Sequence, residues 1–415
     1  MDAWVPLFAA LSSQALTVFT LAYTASDSIL RIPVSACVAG FTWVFHRTLP
    51  DVFENRLYLA LLTTTMWIQC IKTFDDLCLS RISVDAQRRQ THDKQNGRTG
   101  HHPPTVEGRK SSQLPTSPRI AWALAMLWNA RAIGTPWVVS KVPAWPKTHP
   151  GTTVVPSRSH ETRRHARAFV ISYLVLDVFA NLPPPDVAVE MAADRQPLLS
   201  RLGDVGAAEA AFRASAVLGF WANTFCVIHL VNSGFGLAHI SFGLQPVEML
   251  PPVWGGLSHA YTIRNFWGTT WHQTLRRSLT SVADLAAHSI LRLRHGGLIA
   301  RYVKLMICFS ISGLLHRSAD LMLGVAPGES RALEYFATTV LVIMFEDLVQ
   351  HFFRATTGGS KDQRTWRRCV GYVWVCLVMY WMTPSWAYPA ARASQPGRDV
   401  LVPYSVVRRV ARMLG

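Results

Sequence analysis

Long apolar stretches alternate with polar, mostly basic ones along the chain. A helix that spans a bilayer needs about 20 predominantly apolar residues, and Trp4–Tyr23 meets that length without a single charge. It lacks a basic leading region and a clear cleavage site, so it reads as a retained first helix rather than a signal peptide. Residues 32–45 and 57–71 follow as shorter spans, with Arg31 and Arg56 placed to snorkel from their ends. Residues 74–118 are polar and basic around QNGRTGHHPP and read as a flexible cytosolic loop. Further apolar stretches lie at 169–182, closed by three prolines, and at 212–244, 301–323, 332–353 and 370–388. The pattern predicts an all-α, polytopic transmembrane protein of about eight to ten spans.

Charge refines the topology. Only 16% of residues are charged, against about 25% in soluble globular proteins. The formal net charge of +16 is concentrated in three blocks. Residues 81–119 hold eight Lys/Arg against three acids, 141–167 hold six against one, and 264–304 hold seven against one. Basic blocks between apolar spans are the mark of cytosolic loops. No zinc-finger, RNP or helix-turn-helix signature supports nucleic acid as a partner. Segment 120–137, IAWALAMLWNARAIGTPW, carries Asn129 and Arg131 and lies between two basic blocks. A single crossing would put those blocks on opposite sides, so the segment reads as interfacial or re-entrant. The tail, with five arginines against Asp399, is basic too, yet the count leaves it lumenal. The counted topology is therefore wrong by at least one crossing. The seven cysteines form no CxxC pair and lie mostly in apolar runs, as packing residues do.

Ionisable groups inside apolar spans are costly and mark function by default. In CFSISGLLHRSAD, residues 308–320, His316 sits deep in an apolar run after Ser310, Ser312 and Gly313. Small residues one turn back allow another helix or a ligand close to the imidazole, and Asp320 at i+4 is placed to hydrogen-bond and orient it. A neutral, oriented imidazole suits a general base for a hydroxyl; the alternative is a packing histidine. Residues 255–277 interleave Tyr261, Phe266, Trp267 and Trp271 with Arg264, Asn265, His272, Gln273, Arg276 and Arg277. Such a segment either anchors at headgroup depth or stacks an adenine and neutralises phosphates. Glu346, Asp347 and His351 read as a satisfied polar set between helices, and Asp177 as the partner of an Arg or of a helix terminus.

At these residues the chain resembles the wax-synthase-like branch of the membrane-bound O-acyltransferase superfamily. The likeness is greatest to fungal members that acylate terpenoid and other secondary-metabolite alcohols. WNARAIGTPW at 128–137 is similar to an Arg-Gly-Ile-Gly-Thr-Pro-Trp segment of that branch, with Ala132 in place of a glycine. AYTIRNFWGTTWHQ at 260–273 is similar to its Phe-Trp-Gly-x-x-Trp-His-Gln signature, and SISGLLHR at 310–317 to the apolar segment with the catalytic histidine. Thr269 and Thr270 stand where basic residues are common, and Trp271-His272 follows Phe266-Trp267 with one more residue between than the Trp-Asn pair of related sterol and diacylglycerol acyltransferases.

The resemblance implies transfer of an acyl group, acetyl before longer chains, from acyl-CoA to a lipophilic alcohol. His316 would be the catalytic base, with His272 or Asn265 stabilising the oxyanion and Asp320 orienting the base. Arg264, Trp267, Trp271, Gln273 and Arg276 would receive the coenzyme. Acyl-CoA, acetyl-CoA in the fungal branch, is then implied as a co-substrate rather than a bound cofactor; no metal is implied, and the bilayer, the acyl donor and the alcohol are the partners. The expected layout is N-terminal membrane helices at 1–73, the loop at 74–118, an acyltransferase core at 119–390 and a basic tail at 391–415, in the endoplasmic reticulum. The alternatives are a long-chain wax ester synthase and, from another class, a transporter or a non-catalytic scaffold. A transporter predicts internal repeats, which the sequence does not display.

Overall fold

The computed structural model describes residues 4–88, 116–145, 147–149, 152–153, 155–356, 365–395 and 398–414. In chain order the larger helices are α1 (Trp4–Tyr23), α2 (Arg31–Thr48), α3 (Arg56–Phe74), α4 (Thr116–Trp128), α5 (Arg158–Asn181) and α6 (Ala207–Ser241). They continue with α7 (Arg276–Asp284), α8 (Leu298–Met322), α9 (Ala332–Thr356), α10 (Thr365–Ala393) and α11 (Val406–Leu414). Among the described residues the strands are confined to a short antiparallel pair, Lys147–His149 with Thr152–Thr153. The all-α expectation therefore holds apart from that hairpin.

Helix-end contacts fix the direction of each long helix. At one end, Arg31 at the start of α2 donates to the carbonyls of Thr24, Leu77 and Ile82, just beyond α1 and α3. Arg119 of α4 reaches Ala22 of α1, and Arg158 at the start of α5 reaches Ile240 near the end of α6. At the other end, Arg56 at the start of α3 donates to Leu323 just past α8 and to Ala393 at the end of α10. Thus α1, α3, α6 and α9 run towards the first end, while α2, α5, α8 and α10 run away from it. The described parts of all three basic blocks emerge at the first end, which is called the basic end below. Helix C-termini leave carbonyls unpaired, and arginines from neighbouring helices fill that need.

Three helices, α1, α6 and α8, are long and apolar enough to cross a bilayer by length and composition. The outer face of the bundle is apolar: Ile171 on α5, Leu218 on α6, Leu314 on α8 and Val373 on α10 are all exposed. An apolar exterior is what lipid contact permits and water does not.

Segment 120–137 does not run through the bundle. Gln69 and Lys72, both late in α3, donate to the carbonyls of Leu127 and Met126, while Arg119 holds Ala22 near the end of α1. Both ends of α4 therefore lie at the basic end. The helix stops at Trp128, short of the expected 137, because the chain turns at Ala132 and Gly134, which have φ of +51° and +74°. Gly134 suits that left-handed turn, and a Cβ there would come within 3.0 Å of the Met249 side chain.

Two expectations are corrected. Residues 75–88 belong to the folded bundle: Asp75 and Asp76 are fully buried against Lys72 and Arg277. The rest of the expected loop, 89–115, lies outside the described residues. Arg31 does not snorkel either; it is 2% exposed and its guanidinium turns inward to the three carbonyls above, as Arg56 turns to its two. The tail expected at 391–415 contains α11 and sits at the end opposite the basic blocks.

Candidate active site

The largest buried cluster is built by α6, α9, α10 and the 263–271 segment. Val217, Ile263, Tyr335, Phe336, Ile343, Met379 and Trp386 form its centre, with Phe220, Trp221, Phe266, Trp267 and Phe309 packed around it. Gly313 brings α8 onto α9, since a Cβ there would lie 2.9 Å from Leu333 Cα. That close approach sets His316, one turn on, against the first turns of α9. The small residue expected to admit a neighbouring helix does so.

His316 is held between two rings. Phe336 of α9 lies flat on the imidazole, with centroids 4.8 Å apart and 5° between planes. Trp386 of α10 meets it edge-on at 4.8 Å. Among the described residues His316 has no hydrogen-bonded partner. Asp320 does not orient it directly: its carboxylate accepts from Ser330 Oγ at 2.7 Å and from Trp386 Nε1 at 3.3 Å. The i+4 spacing puts both groups on one helix face, but the third helix claims the carboxylate. Asp320 thus fixes the indole that touches the imidazole, which makes it a positioning residue.

Trp386 lies between Pro384 and Pro389, inside α10. A proline lacks the N–H that would bond four residues back, so Pro384 frees the Tyr380 carbonyl. Arg213 of α6, 1% exposed, fills the gap: its Nε donates to Tyr380 at 3.1 Å and its Nη2 to Trp381 at 3.2 Å.

The 263–273 segment is pinned from α9. Glu346 accepts from the backbone N–H groups of Ile263 and Arg264 at 2.9 and 3.1 Å, capping a short helical turn. Asp347 takes the Arg264 side chain through both carboxylate oxygens and also accepts from Tyr302 at 2.8 Å. Arg264 is therefore committed to an ion pair rather than presented to a coenzyme, and Asp347 pairs with it rather than with His351. Both acids are satisfied, but the expected Asp347–His351 pair is not what satisfies them. Arg276 and Gln273 are likewise turned inward. Gln273 donates to the Trp271 carbonyl at 2.6 Å, and Arg276 donates to the Gln273 side chain at 2.7 Å. Trp267 touches Phe336 and Phe309, so the segment reaches the His316 site through the ring stacked on it.

His272 is the second imidazole of the site. It packs against Trp254 and Trp271, and it lies within electrostatic range of His316. Its Nδ1 is buried without a hydrogen-bond partner among the described residues. Burial pushes this imidazole down to about 4, so it is neutral at pH 7. Asn265 donates its backbone N–H to Thr262 Oγ1; the recorded neighbours of His316 are Phe336, Trp386 and His272.

Two residues outside the predicted site set lie beside it, Lys141 from a basic block and Arg131 from the 128–137 segment. Lys141, beyond the α4 turn, is exposed and lies within electrostatic range of Arg276 and Arg264. Partial burial lowers its pKa, and those two arginines push the same way. Arg131 crosses to the carbonyls of Pro251 and Pro252, which ties the 128–137 segment to the start of the signature region. Burial draws it down to about 10, still charged. Asp177 proves to be a helix-terminus partner, accepting from the Val407 N–H of α11 at 2.9 Å.

The Membrane bound O-acyl transferase family model matches residues 250–338, which hold the signature segment, His316, Asp320 and Phe336. Acetyltransferase aurG of Calcarisporium arbuscula is 33% identical over 292 residues, covering 68% of either chain. Acetyltransferase pyr8 of Aspergillus fumigatus is 30% identical over 407 residues, or 95% of this chain and 89% of its own. Acetyltransferase fsoF of Humicola fuscoatra is 32% identical over 283 residues, 65% of this chain and 67% of its own. No solved structure matches the chain.

Proposed function

We propose, from the premise that the chain belongs to the membrane-bound O-acyl transferase family, that it moves an acetyl group from acetyl-CoA to the hydroxyl of a lipophilic terpenoid or related secondary-metabolite alcohol. The observation that carries the reading is the His316 imidazole boxed between Phe336 and Trp386 without a hydrogen-bonded partner among the described residues, with the buried His272 within electrostatic range. A thioester is already activated, so the protein has to supply a base, a place for the oxyanion and a dry site.

His316 takes the proton of the acceptor hydroxyl as its oxygen attacks the thioester carbonyl. The carbonyl electrons move to oxygen, giving a tetrahedral oxyanion. His272, protonated on Nδ1 in its neutral form, donates to that oxyanion, with the Asn265 amide as the second candidate donor. When the carbonyl re-forms, the carbon–sulfur bond breaks, and the His316 imidazolium returns its proton to the departing thiolate. Ester and free CoA leave, with no net change in the protein. Phe336 and Trp386 keep the ring in place, and Asp320 keeps Trp386 there.

The basic end would face the cytosol, where the anionic coenzyme is dissolved, and the exposed Lys141 gives its phosphates a positive approach. The apolar flank of the bundle would admit the alcohol from the bilayer of the endoplasmic reticulum. The acetyl group is favoured over longer chains because the relatives above are named acetyltransferases. The test is microsomes expressing the chain, given radiolabelled acetyl-CoA and a panel of terpenoid alcohols, beside a His316→Ala variant. Labelled ester from the parent and none from the variant is the expected result. Ester formed only from long-chain acyl-CoA would overturn the acetyl assignment, and an equally active variant would overturn the base.

A further inference from the structure

The last described helix, α11, separates its side chains completely. At 100° per residue, Val406, Val407, Val410, Ala411, Met413 and Leu414 fall on one arc, and Arg408, Arg409 and Arg412 on the opposite one. No residue of α11 is buried; Val410 is 42% exposed, Met413 69% and Leu414 83%. A free apolar arc on a water-facing helix is costly, yet the start of this helix is firmly held. Asp177 caps it through the Val407 N–H, Asn181 accepts from Arg408 Nε at 2.7 Å and donates to Ser405 Oγ at 3.0 Å, and Tyr173 donates to the Tyr404 carbonyl at 2.7 Å. All three anchors lie on α5, whose outer face exposes Ile171, Leu174, Val178 and Leu182. The start of α11 is therefore held at the end where an apolar outer wall stops.

We propose that α11 lies flat in the headgroup layer at the end opposite the basic blocks, its apolar arc in the acyl boundary and its three arginines among the phosphates of anionic phospholipids. Full segregation of apolar and basic faces on a helix of low overall hydrophobicity is the pattern of interfacial helices, and each arginine near an anionic surface adds to the attraction. The occupant of the face is lipid. A second copy of the chain would not be selected by a row of arginines facing its own like charge.

The test uses the full chain in nanodiscs that hold one copy each, with the seven native cysteines replaced. A single cysteine at Met413 or at Arg412 carries a fluorophore, and brominated lipids act as quenchers. The expected result is at least about twofold stronger quenching at 413 than at 412. Adding phosphatidylserine to phosphatidylcholine discs should deepen the quenching at 413, and an Arg408→Gln, Arg409→Gln, Arg412→Gln variant, with its cysteine at 413, should lose that increment. Equal quenching at both positions would overturn the flat orientation. Weak quenching at 413 with the dye shielded from water would mean that the arc packs on its own chain, which also overturns it. Quenching unaffected by phosphatidylserine would remove the anionic-lipid part.

Discussion

Among the described residues, two of the buried polar clusters are treated in opposite ways. Under the basic end, Arg277 lies 2.9 Å from Asp75, an ion pair without hydrogen-bond alignment, and also pairs with Asp76. Lys72 takes the other oxygen of Asp76 and donates to the Met126 carbonyl, while Ser80 donates to Asp75 at 2.7 Å. Two positive charges meet two negative ones, and three elements are locked together. Around His316 nothing is cancelled. The imidazole is walled by Phe336 and Trp386, and the Nδ1 of His272 has no partner among the described residues. Groups that hold the fold are neutralised on the spot; the pair assigned to chemistry is left with unused capacity in a dry setting, where a proton or a developing charge is felt most.

The sharpest break of that comparison is His316→Ala. A positioned base contributes about 10²- to 10⁴-fold, so acetyl transfer should fall by that factor while the melting temperature in detergent hardly moves. Arg277→Leu should do the reverse. Removing one partner of a buried ion pair costs about 3–5 kcal/mol, read as a loss of thermal stability and of folded protein; an unchanged melting curve would make the cluster dispensable.

His272→Gln comes next. Losing an oxyanion donor costs about 10²- to 10³-fold in turnover, with KM for acetyl-CoA little altered. Acid sensitivity checks the same residue. Its folded pKa of about 4 lies below the usual imidazole value of 6.5, so the unfolded chain binds the extra proton first. The stabilisation from a neutral His272 is complete above pH 6.5 and is lost as pH falls towards 4. Stability of the variant should decline less steeply than that of the parent across this window.

Smaller effects sharpen the picture. Trp386→Phe keeps a ring beside His316 but removes the N–H held by Asp320; about tenfold in kcat with KM unchanged is expected from one hydrogen bond to a carboxylate. Ala132→Gly should alter stability by less than about 1 kcal/mol, because relief of the left-handed strain offsets the entropy cost and the lost methyl. A larger loss on melting would show that the methyl matters more than the backbone.

Much of this was legible in the chain because the relevant signals are local. The first span coincides with α1, and the non-crossing reading of 120–137 followed from two basic flanks that could not lie on opposite sides. Ala132 in place of a glycine was visible as a departure, and its left-handed backbone supplies the reason for glycine there. The failures involve partners far apart in sequence. Spacing on one helix put Asp320 beside His316, but it could not reveal that Trp386, 66 residues on, would take the carboxylate. Asp75 and Asp76 sat at the edge of a polar stretch and read as loop, since the cation that buries them comes from residue 277. Arg264 and Arg276 looked available for phosphate because their acceptors, Asp347 and Gln273, could not be assigned from a list of charges.

Arg56 carries a last implication. Its guanidinium grips Leu323 and Ala393, and each of these stands seven residues beyond a member of the site, His316 on α8 and Trp386 on α10. At 1.5 Å per residue both side chains are set about 10 Å along their helices from one shared clamp. The clamp acts as the zero mark of a ruler: two helices gauged from the same origin bring their seventh residues back to the same depth, so an axial slip of either one would be corrected before imidazole and indole lost their alignment.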